Sequence, residues 1–149
     1  MPSIPPAYVH AVSALTPVLD DLPGKIVAID GRDGVGKTTL GRYLAWQFNV
    51  SLIETDLFII EGTQHIERRV HEISRIVRFR LKKPRPVIVE GVRILELFQT
   101  IECCPDFLIY AEMPGHSTGE LMERLLDEYE AKFEPKKRAD LILNIEHDG

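Results

Sequence analysis

The spacing of apolar positions changes along the chain and predicts strands alternating with helices. Five runs rich in apolar or β-branched residues predict short buried strands, at 25–30, 51–54, 86–90, 106–111 and 140–145. Leu40, Leu44 and Phe48 recur every four residues and predict a helix over 37–49. Strands alternating with helices imply right-handed crossovers and a parallel sheet. We therefore expect an α/β fold whose five-stranded parallel sheet carries helices on both faces, in a strand order that the pattern leaves open.

Two more amphipathic helices are predicted in the middle and late parts of the chain. Thr63 is a candidate N-cap for a long helix that ends before Pro84. The apolar stripe of this helix is Ile66, Val70, Ile73, Val77 and Leu81. Ser117 and Glu120 form a capping-box pattern. The helix that they open would run to Phe133, with Leu121, Leu125, Tyr129 and Phe133 on one face.

The N-terminal stretch has a different composition from the rest. Five prolines fall within the first 24 residues, and Val9, Val12 and Leu15 have the spacing of a short helix. We therefore interpret residues 1–24 as a Pro-rich appendage with a short helix, and residues 25–149 as the main domain.

Composition narrows the class of protein. A length of 149 residues, with 44% hydrophobic and 28% charged residues, fits one globular domain. The formal charge of −5 argues against nucleic acid as a partner. Apolar runs are too short to span a membrane, and no signal peptide is visible. The two cysteines, Cys103 and Cys104, are adjacent, and a bridge between neighbours would be strained. A cytoplasmic location is the simplest expectation.

A glycine-rich motif lies between the first predicted strand and the first predicted helix. Residues 31–38 read Gly-Arg-Asp-Gly-Val-Gly-Lys-Thr, which is the G-x-x-x-x-G-K-T pattern of a phosphate-binding loop (P-loop). Its glycines permit a compact turn whose backbone N–H groups point at an anion, and the following helix adds its own free N–H groups. Lys37 can reach the β- and γ-phosphates, and the Thr38 hydroxyl can bind Mg²⁺. The sequence therefore predicts a P-loop NTPase fold.

Other motifs decide between classes of P-loop protein. The guanine-reading N-K-x-D motif of GTPases and the L-S-G-G-Q signature of ABC-type ATPases do not occur. The chain is also short for the core of a motor or an oligomeric ATPase. Small phosphotransferases are the class that remains.

Three stretches carry a resemblance to a known group. They are AIDGRDGVGKTTL at the P-loop, Asp56-Leu57-Phe58 (D-x-F) after the second strand, and Glu90-Gly91 (EG) at the end of the third. In these and in the late stretch 129–143 (YEAKFEPKKRADLIL), the chain resembles the uridine kinase/phosphoribulokinase/pantothenate kinase-like group of P-loop kinases. The likeness runs from about Lys25 to Ile145 and implies transfer of a phosphoryl group from ATP, with Mg²⁺, to a hydroxyl of a small metabolite.

The resemblance also implies roles for individual residues. ATP would bind on the loop residues Gly31, Arg32, Asp33, Gly34, Val35, Gly36, Lys37, Thr38 and Thr39. For Arg32 and Asp33 we expect the backbone N–H groups to matter more than the side chains. Asp56 would accept the proton of the attacking hydroxyl, and Thr38 and Glu90 would hold Mg²⁺. Phe58 and Arg93 are candidate substrate-binding residues, with Arg93 suited to a phosphate or carboxylate.

The chain departs from this group in its lid. Lid arginines normally grip the transferring phosphoryl group, but here the helix predicted to end at Phe133 is rich in acidic residues and holds one arginine, Arg124, the direct lid candidate. Two alternatives therefore stay open: a thymidylate kinase-like nucleotide kinase, since DG-x-GKTT also occurs there, and a nucleotide-binding regulatory or vestigial module with little turnover. The basic stretch between Arg68 and Arg85 is either a solvated face or an anion-binding surface. We expect a monomer or a homodimer.

Overall fold

A computed structural model describes residues 3–60 and 67–146 of the chain. The strands are β1 (Ile26–Gly31), β2 (Ser51–Glu54), β3 (Val87–Glu90), β4 (Phe107–Glu112) and β5 (Leu141–Asn144). The helices are α1 (Pro6–Leu15), α2 (Lys37–Phe48), α3 (Val70–Lys82), α4 (Ile94–Ile101), α5 (Glu120–Phe133) and α6 (Pro135–Arg138). A single 3-10 turn, Thr55–Phe58, directly follows β2.

The five strands form one parallel sheet in the order β2-β3-β1-β4-β5. This confirms the predicted α/β fold and supplies the strand order. Every residue of β1 and β3 is buried, which explains the apolar runs Ile26–Ile29 and Val87–Val89 within them. Because β1 lies between β3 and β4 while the chain continues from β1 to α2 and β2, its carboxyl end is a topological switch point. Ligands of open α/β sheets bind in the crevice at such a point.

Helices cover both faces of the sheet, as predicted. On one face, Ile73 and Val77 of α3 and Phe98 of α4 pack in one hydrophobic cluster with inward residues of the strands. On the other face, Leu40 and Leu44 of α2 pack in a second cluster. The sheet therefore separates two cores, and its carboxyl edge stays free for polar groups.

The N-terminal helix α1 belongs to the second core. Ala11 and Leu15 have no exposed surface, and Leu19 is 3% exposed. All three pack in the same cluster as Val27 and Ile29 of the central strand. The short helix expected within an appendage therefore exists, but it packs in the core because its small and apolar residues cover α2 and β5.

Several local predictions need correction. Helix α4 was not expected, although five of its eight residues are buried. Helix α5 begins at Glu120 with Gly119 as its N-cap, so the Ser117 capping box does not form. Instead the Thr118 hydroxyl and its backbone N–H both donate to one oxygen of Glu123. On the predicted apolar face of α5, Leu121 is 68% exposed. Helix α3 begins at Val70 with Arg69 as its N-cap, so the long helix starts later than predicted. The proposed N-cap Thr63 and the predicted stripe residue Ile66 lie outside the described residues.

The helices of the described parts of the chain are all too short or too polar to cross a lipid bilayer.

Candidate active site

The P-loop forms the turn between β1 and α2 at the carboxyl edge of the sheet. Gly34 has a φ of +78°, in the left-handed region that favours glycine. A Cβ at this position would lie 2.7 Å from Nε2 of His116, and the same nitrogen lies 3.0 Å from the carbonyl oxygen of Asp33. The loop therefore turns tightly beneath His116, and a Cβ at position 34 would require the His116 side chain to shift.

Lys37 is the first residue of α2 and is 6% exposed. Its Nζ donates a 2.6 Å hydrogen bond to the carbonyl oxygen of Arg32, across the loop. Burial lowers the pKa of this ammonium group, whereas the charges of nearby carboxylates, with Asp30 and Glu90 the strongest, oppose the change. The lysine is thereby held over the loop, where its charge can meet an anion.

Thr38 and Glu90 face each other across the switch point. The Thr38 hydroxyl donates to Oε1 of Glu90 at 2.9 Å, and Glu90, the last residue of β3, is 1% exposed. Burial raises the pKa of the Glu90 carboxyl, and the hydrogen bond from Thr38 partly reverses that change. A hydroxyl beside a carboxylate offers the oxygen ligands that Mg²⁺ prefers. No cluster of three or more His, Cys, Asp or Glu side chains suited to a metal occurs among the described residues. Mg²⁺ usually keeps several water ligands and takes only one or two carboxylates from the protein.

Most of the predicted site residues surround one cavity of about 270 Å³. It is lined by Asp33, Gly34, Gly36, Lys37, Thr38, Thr39, Asp56 and Glu90. Of the other loop residues, Gly31 ends the central strand, and Val35 is buried in the core beneath the loop. The structure thus brings the loop, the candidate base and the candidate metal ligands to a single space.

Asp56 and Phe58, both expected to bind substrate, line different cavities. Asp56 lies in the 3-10 turn, is exposed, and lines the cavity that holds Lys37. Phe58 instead lines a separate surface cavity against α3, together with Ile76 and Phe79. Of this pair, only Asp56 reaches the P-loop.

Arg93 and Arg124 do not line the cavity of the P-loop. Arg93 is the N-cap of α4, and its guanidinium donates to both carboxylate oxygens of Glu96 at 2.5–2.9 Å. Its donors are therefore directed to its own helix. Arg124 lies exposed on α5.

The side chain of Arg32, which we expected to matter less than its backbone N–H group, connects the P-loop to α5. Its guanidinium forms ion pairs with three acidic residues of α5: Glu123, Asp127 at 2.6 Å and Glu130 at 2.6 Å. The pKa of Arg32 rises, chiefly through the hydrogen bond with Glu130. Tyr110 of β4 donates to the same Glu130 at 2.5 Å. The acidic side chains of α5 therefore fix the P-loop through Arg32. Three of the acidic residues that make α5 unusual have this structural partner.

Asp30, which sequence reasoning missed, is a buried acid directly before the P-loop. It is 1% exposed, and its carboxylate accepts hydrogen bonds from the Gly31 N–H at 2.8 Å and the Tyr129 hydroxyl at 2.5 Å. The Tyr129 hydroxyl in turn accepts a bond from the Leu95 N–H at 3.1 Å. Burial raises the pKa of Asp30 to about 6, in spite of these bonds and of Lys37. The sequence signal that could have identified Asp30 is an acidic residue at the end of a buried strand.

Arg68 is a second residue whose position was missed. Its guanidinium donates to the carbonyl oxygens of Val92 at 2.8 Å and Arg93 at 3.2 Å, and to the Thr55 hydroxyl at 3.3 Å. Burial and the charge of Arg93 lower its pKa. Arg68 therefore ties the turn after β2 to the turn after β3 and faces inward, unlike a residue of a solvated basic face.

Comparison with known proteins identifies the fold. No protein-family profile and no curated protein sequence matches the chain. Among solved structures, a possible uridine kinase from Bacillus stearothermophilus is similar, with 15% identity, a TM-score of 0.63, and coverage of 92% of this chain and 97% of that one. Thymidylate kinase from Candida albicans has 10% identity and a TM-score of 0.55 over 85% and 86% of the two chains. Shikimate kinase from Acinetobacter baumannii has 17% identity and a TM-score of 0.52 over 90% and 89%. The chain thus has the fold of P-loop kinases.

Proposed function

We propose that this protein transfers a phosphoryl group from ATP to a hydroxyl group of a small metabolite, as a uridine kinase-like P-loop kinase. One observation carries the proposal: a single cavity at the switch point joins a P-loop, its lysine, a hydroxyl–carboxylate pair and a carboxylate suited to be a base. These are the parts that phosphoryl transfer needs, because its catalysis depends on positioning and charge stabilisation.

In this mechanism the loop binds the phosphates first. The backbone N–H groups of residues 31–38 and the start of α2 surround the β- and γ-phosphates. Lys37 exchanges its bond with the Arg32 carbonyl for a phosphate oxygen, where its charge stabilises the transition state. Thr38 and Glu90 would hold Mg²⁺, which when bound neutralises charge on the phosphate oxygens.

Asp56 completes the reaction on the acceptor side. Asp56 lines the same cavity from the turn after β2. A hydroxyl placed between Asp56 and the terminal phosphate can transfer its proton to the carboxylate as the new P–O bond forms. This is in-line transfer to an alcohol, so the products are ADP and a phosphate monoester.

A second candidate, a nucleotide-binding module with little turnover, is favoured by the positions of the arginines. Arg124 is exposed, Arg93 is paired with Glu96, and Arg32 is held by α5. Catalysis in this fold class gains much from an arginine at the transferring phosphoryl group. In this second candidate function, the protein binds a nucleotide but does not transfer its phosphoryl group to an acceptor.

The two candidates make different predictions for one assay. The full chain is incubated with Mg–ATP and panels of nucleosides, sugars, pantothenate-like alcohols and nucleoside monophosphates, and phosphorylated products are identified by mass spectrometry. For a kinase, we expect an alcohol to be phosphorylated, and Asp56→Asn to lower turnover by about a hundredfold or more while ATP still binds. Lys37→Ala should abolish ATP binding. The exposed Asp20→Asn serves as the matched control.

Two outcomes would decide against the proposed activity, and a third against the role of Asp56. ATP binding without any phosphorylated acceptor would favour the module. Phosphorylation of a monophosphate alone would favour the thymidylate kinase-like alternative. Full activity of Asp56→Asn would remove Asp56 as the base.

A further inference from the structure

A second cavity of about 570 Å³ adjoins the cavity of the P-loop. Its lining residues come from four parts of the chain: Pro5, Pro6, Ala7, Tyr8, Gly36, Thr39, Met113, Asn144, Ile145 and Glu146. Gly36 and Thr39 line both cavities. A ligand whose phosphates occupy the loop can therefore extend past these two residues into the larger space.

The chemistry of the second cavity suits the uncharged part of a nucleotide. Among the residues that the structure describes, those lining this cavity include no lysine and no arginine, so they offer no positive charge for additional phosphates. Proline rings, Tyr8, Met113 and Ile145 give it apolar walls, while Asn144 and Glu146 add polar groups after β5. Apolar walls with a few convergent polar groups are typical of small-molecule sites, and the volume lies within their usual range.

The wall supplied by the N-terminal segment is rigidly held. Pro5 is the N-cap of α1 and Pro6 its first residue, which fixes the backbone where the helix meets the cavity. The Tyr8 ring packs against Tyr43 of α2, with the ring centroids 5.1 Å apart. One and two turns further along, Ala11 and Leu15 anchor α1 in the core. A wall formed in advance loses little entropy when a ligand binds.

We propose that Pro5–Tyr8 forms one wall of a nucleoside pocket in this protein. The base and ribose of a nucleoside triphosphate lie between this segment and the residues after β5, and the phosphates lie in the P-loop. The inference rests on the proposed function for its phosphate site, but it assigns to α1 a direct part in binding that the P-loop does not require.

The test compares nucleoside triphosphates with inorganic tripolyphosphate, which has the phosphates and no nucleoside. Ala7 is half-buried in the wall, and Ala7→Trp would fill the cavity. Val9→Trp is the matched control, because Val9 lies on the same helix, is 55% exposed and does not line the cavity. Binding of the Mg²⁺ complexes of ATP, GTP, CTP, UTP and tripolyphosphate is measured by calorimetry.

We expect at least one nucleoside triphosphate to bind about tenfold or more tightly than tripolyphosphate. Ala7→Trp should remove that advantage and change the affinity for tripolyphosphate by less than about twofold, which also shows that the variant folds. Val9→Trp should bind both as the unmodified chain does. In hydrogen exchange, the preferred nucleotide, but not tripolyphosphate, should slow exchange of the α1 amides.

Two results would overturn the inference while leaving the phosphate site in place. One is tripolyphosphate binding as tightly as every nucleotide. The other is Ala7→Trp retaining full nucleotide affinity, since the base would then lie elsewhere. If none of the five compounds binds, the proposed function itself fails, and the nucleoside pocket with it.

Discussion

The buried Asp30 should make the stability of this fold depend on pH, and Asp30→Asn should remove that dependence. The carboxyl has an ordinary pKa of 3.8, which burial raises to about 6 in the folded chain. The folded state therefore holds this proton more tightly than the unfolded state does. As pH rises from about 4 to about 6, the unfolded chain releases the proton first, and the free energy of unfolding falls.

The magnitude follows from the two pKa values. A rise from 3.8 to about 6 corresponds to about 3 kcal/mol between the acid limit and neutral pH. About 2 kcal/mol of this falls between about pH 4.5 and about pH 8, where the fold can be assayed. Asparagine cannot ionise, so the free energy of unfolding of the Asp30→Asn protein should lack this component at every pH. This holds whatever free energy the amide costs through altered hydrogen bonds to Tyr129.

Urea unfolding of both proteins at a series of pH values measures the difference. The free energy of unfolding of Asp30→Asn minus that of the unmodified chain should be about 2 kcal/mol more positive at about pH 8 than at about pH 4.5. The exposed Asp20→Asn serves as control and should run parallel to the unmodified chain. Tyr129→Phe removes a hydrogen bond that lowers the pKa of Asp30, so the pH window should move upward. Parallel pH profiles for Asp30→Asn and the unmodified chain would refute the reasoning.

Three further predictions concern the loop and its supports. Gly34→Ala should weaken ATP binding by about tenfold or more in calorimetry, because the new Cβ meets His116 and the φ of +78° strains it; unchanged affinity would contradict the loop geometry. Leu15→Ala should lower the free energy of unfolding by about 2–5 kcal/mol in urea, whereas the exposed Val9→Ala should change it by less than about 0.5 kcal/mol; equal effects would mean that α1 is not core. Arg32→Ala should lower the melting temperature by several degrees at low salt and less at high salt, since it leaves the carboxylates of α5 unpaired; a salt-independent change would count against the ion pairs.

The centre of the sheet was predictable because β1 and β3 are buried on both faces. Runs such as Ile26–Ile29 and Val87–Val89 have no polar interruption, and this pattern has few other interpretations at that length. Helix α4 was missed for the opposite reason. Its sequence, ILELFQTI, is eight residues long and mostly apolar, so periodicity cannot separate it from a strand or a loop.

The candidate site was predictable where the backbone determines it. The P-loop and Asp56 come just after β1 and β2, and Glu90 ends β3, so the parallel sheet itself brings them together. Long side chains were not predictable in this way. Arg93 pairs with Glu96 on its own helix, and Arg32 pairs with residues of α5 that are remote in sequence. The ion-pair partner of each arginine depends on how the helices pack, and the spacing of residues along the sequence does not determine that packing.

Because Arg32 is paired with α5, a helix that is distant in sequence helps to fix the conformation of the P-loop. Ions in solution screen such pairs, so rising ionic strength should loosen this brace as well as weaken the direct attraction between loop and phosphate. The affinity of this protein for polyphosphates should therefore fall more steeply with salt than the charge of its loop alone requires. Any ligand or modification that neutralises the acidic face of α5 should therefore also change the affinity for the nucleotide, because it removes the same ion pairs with Arg32.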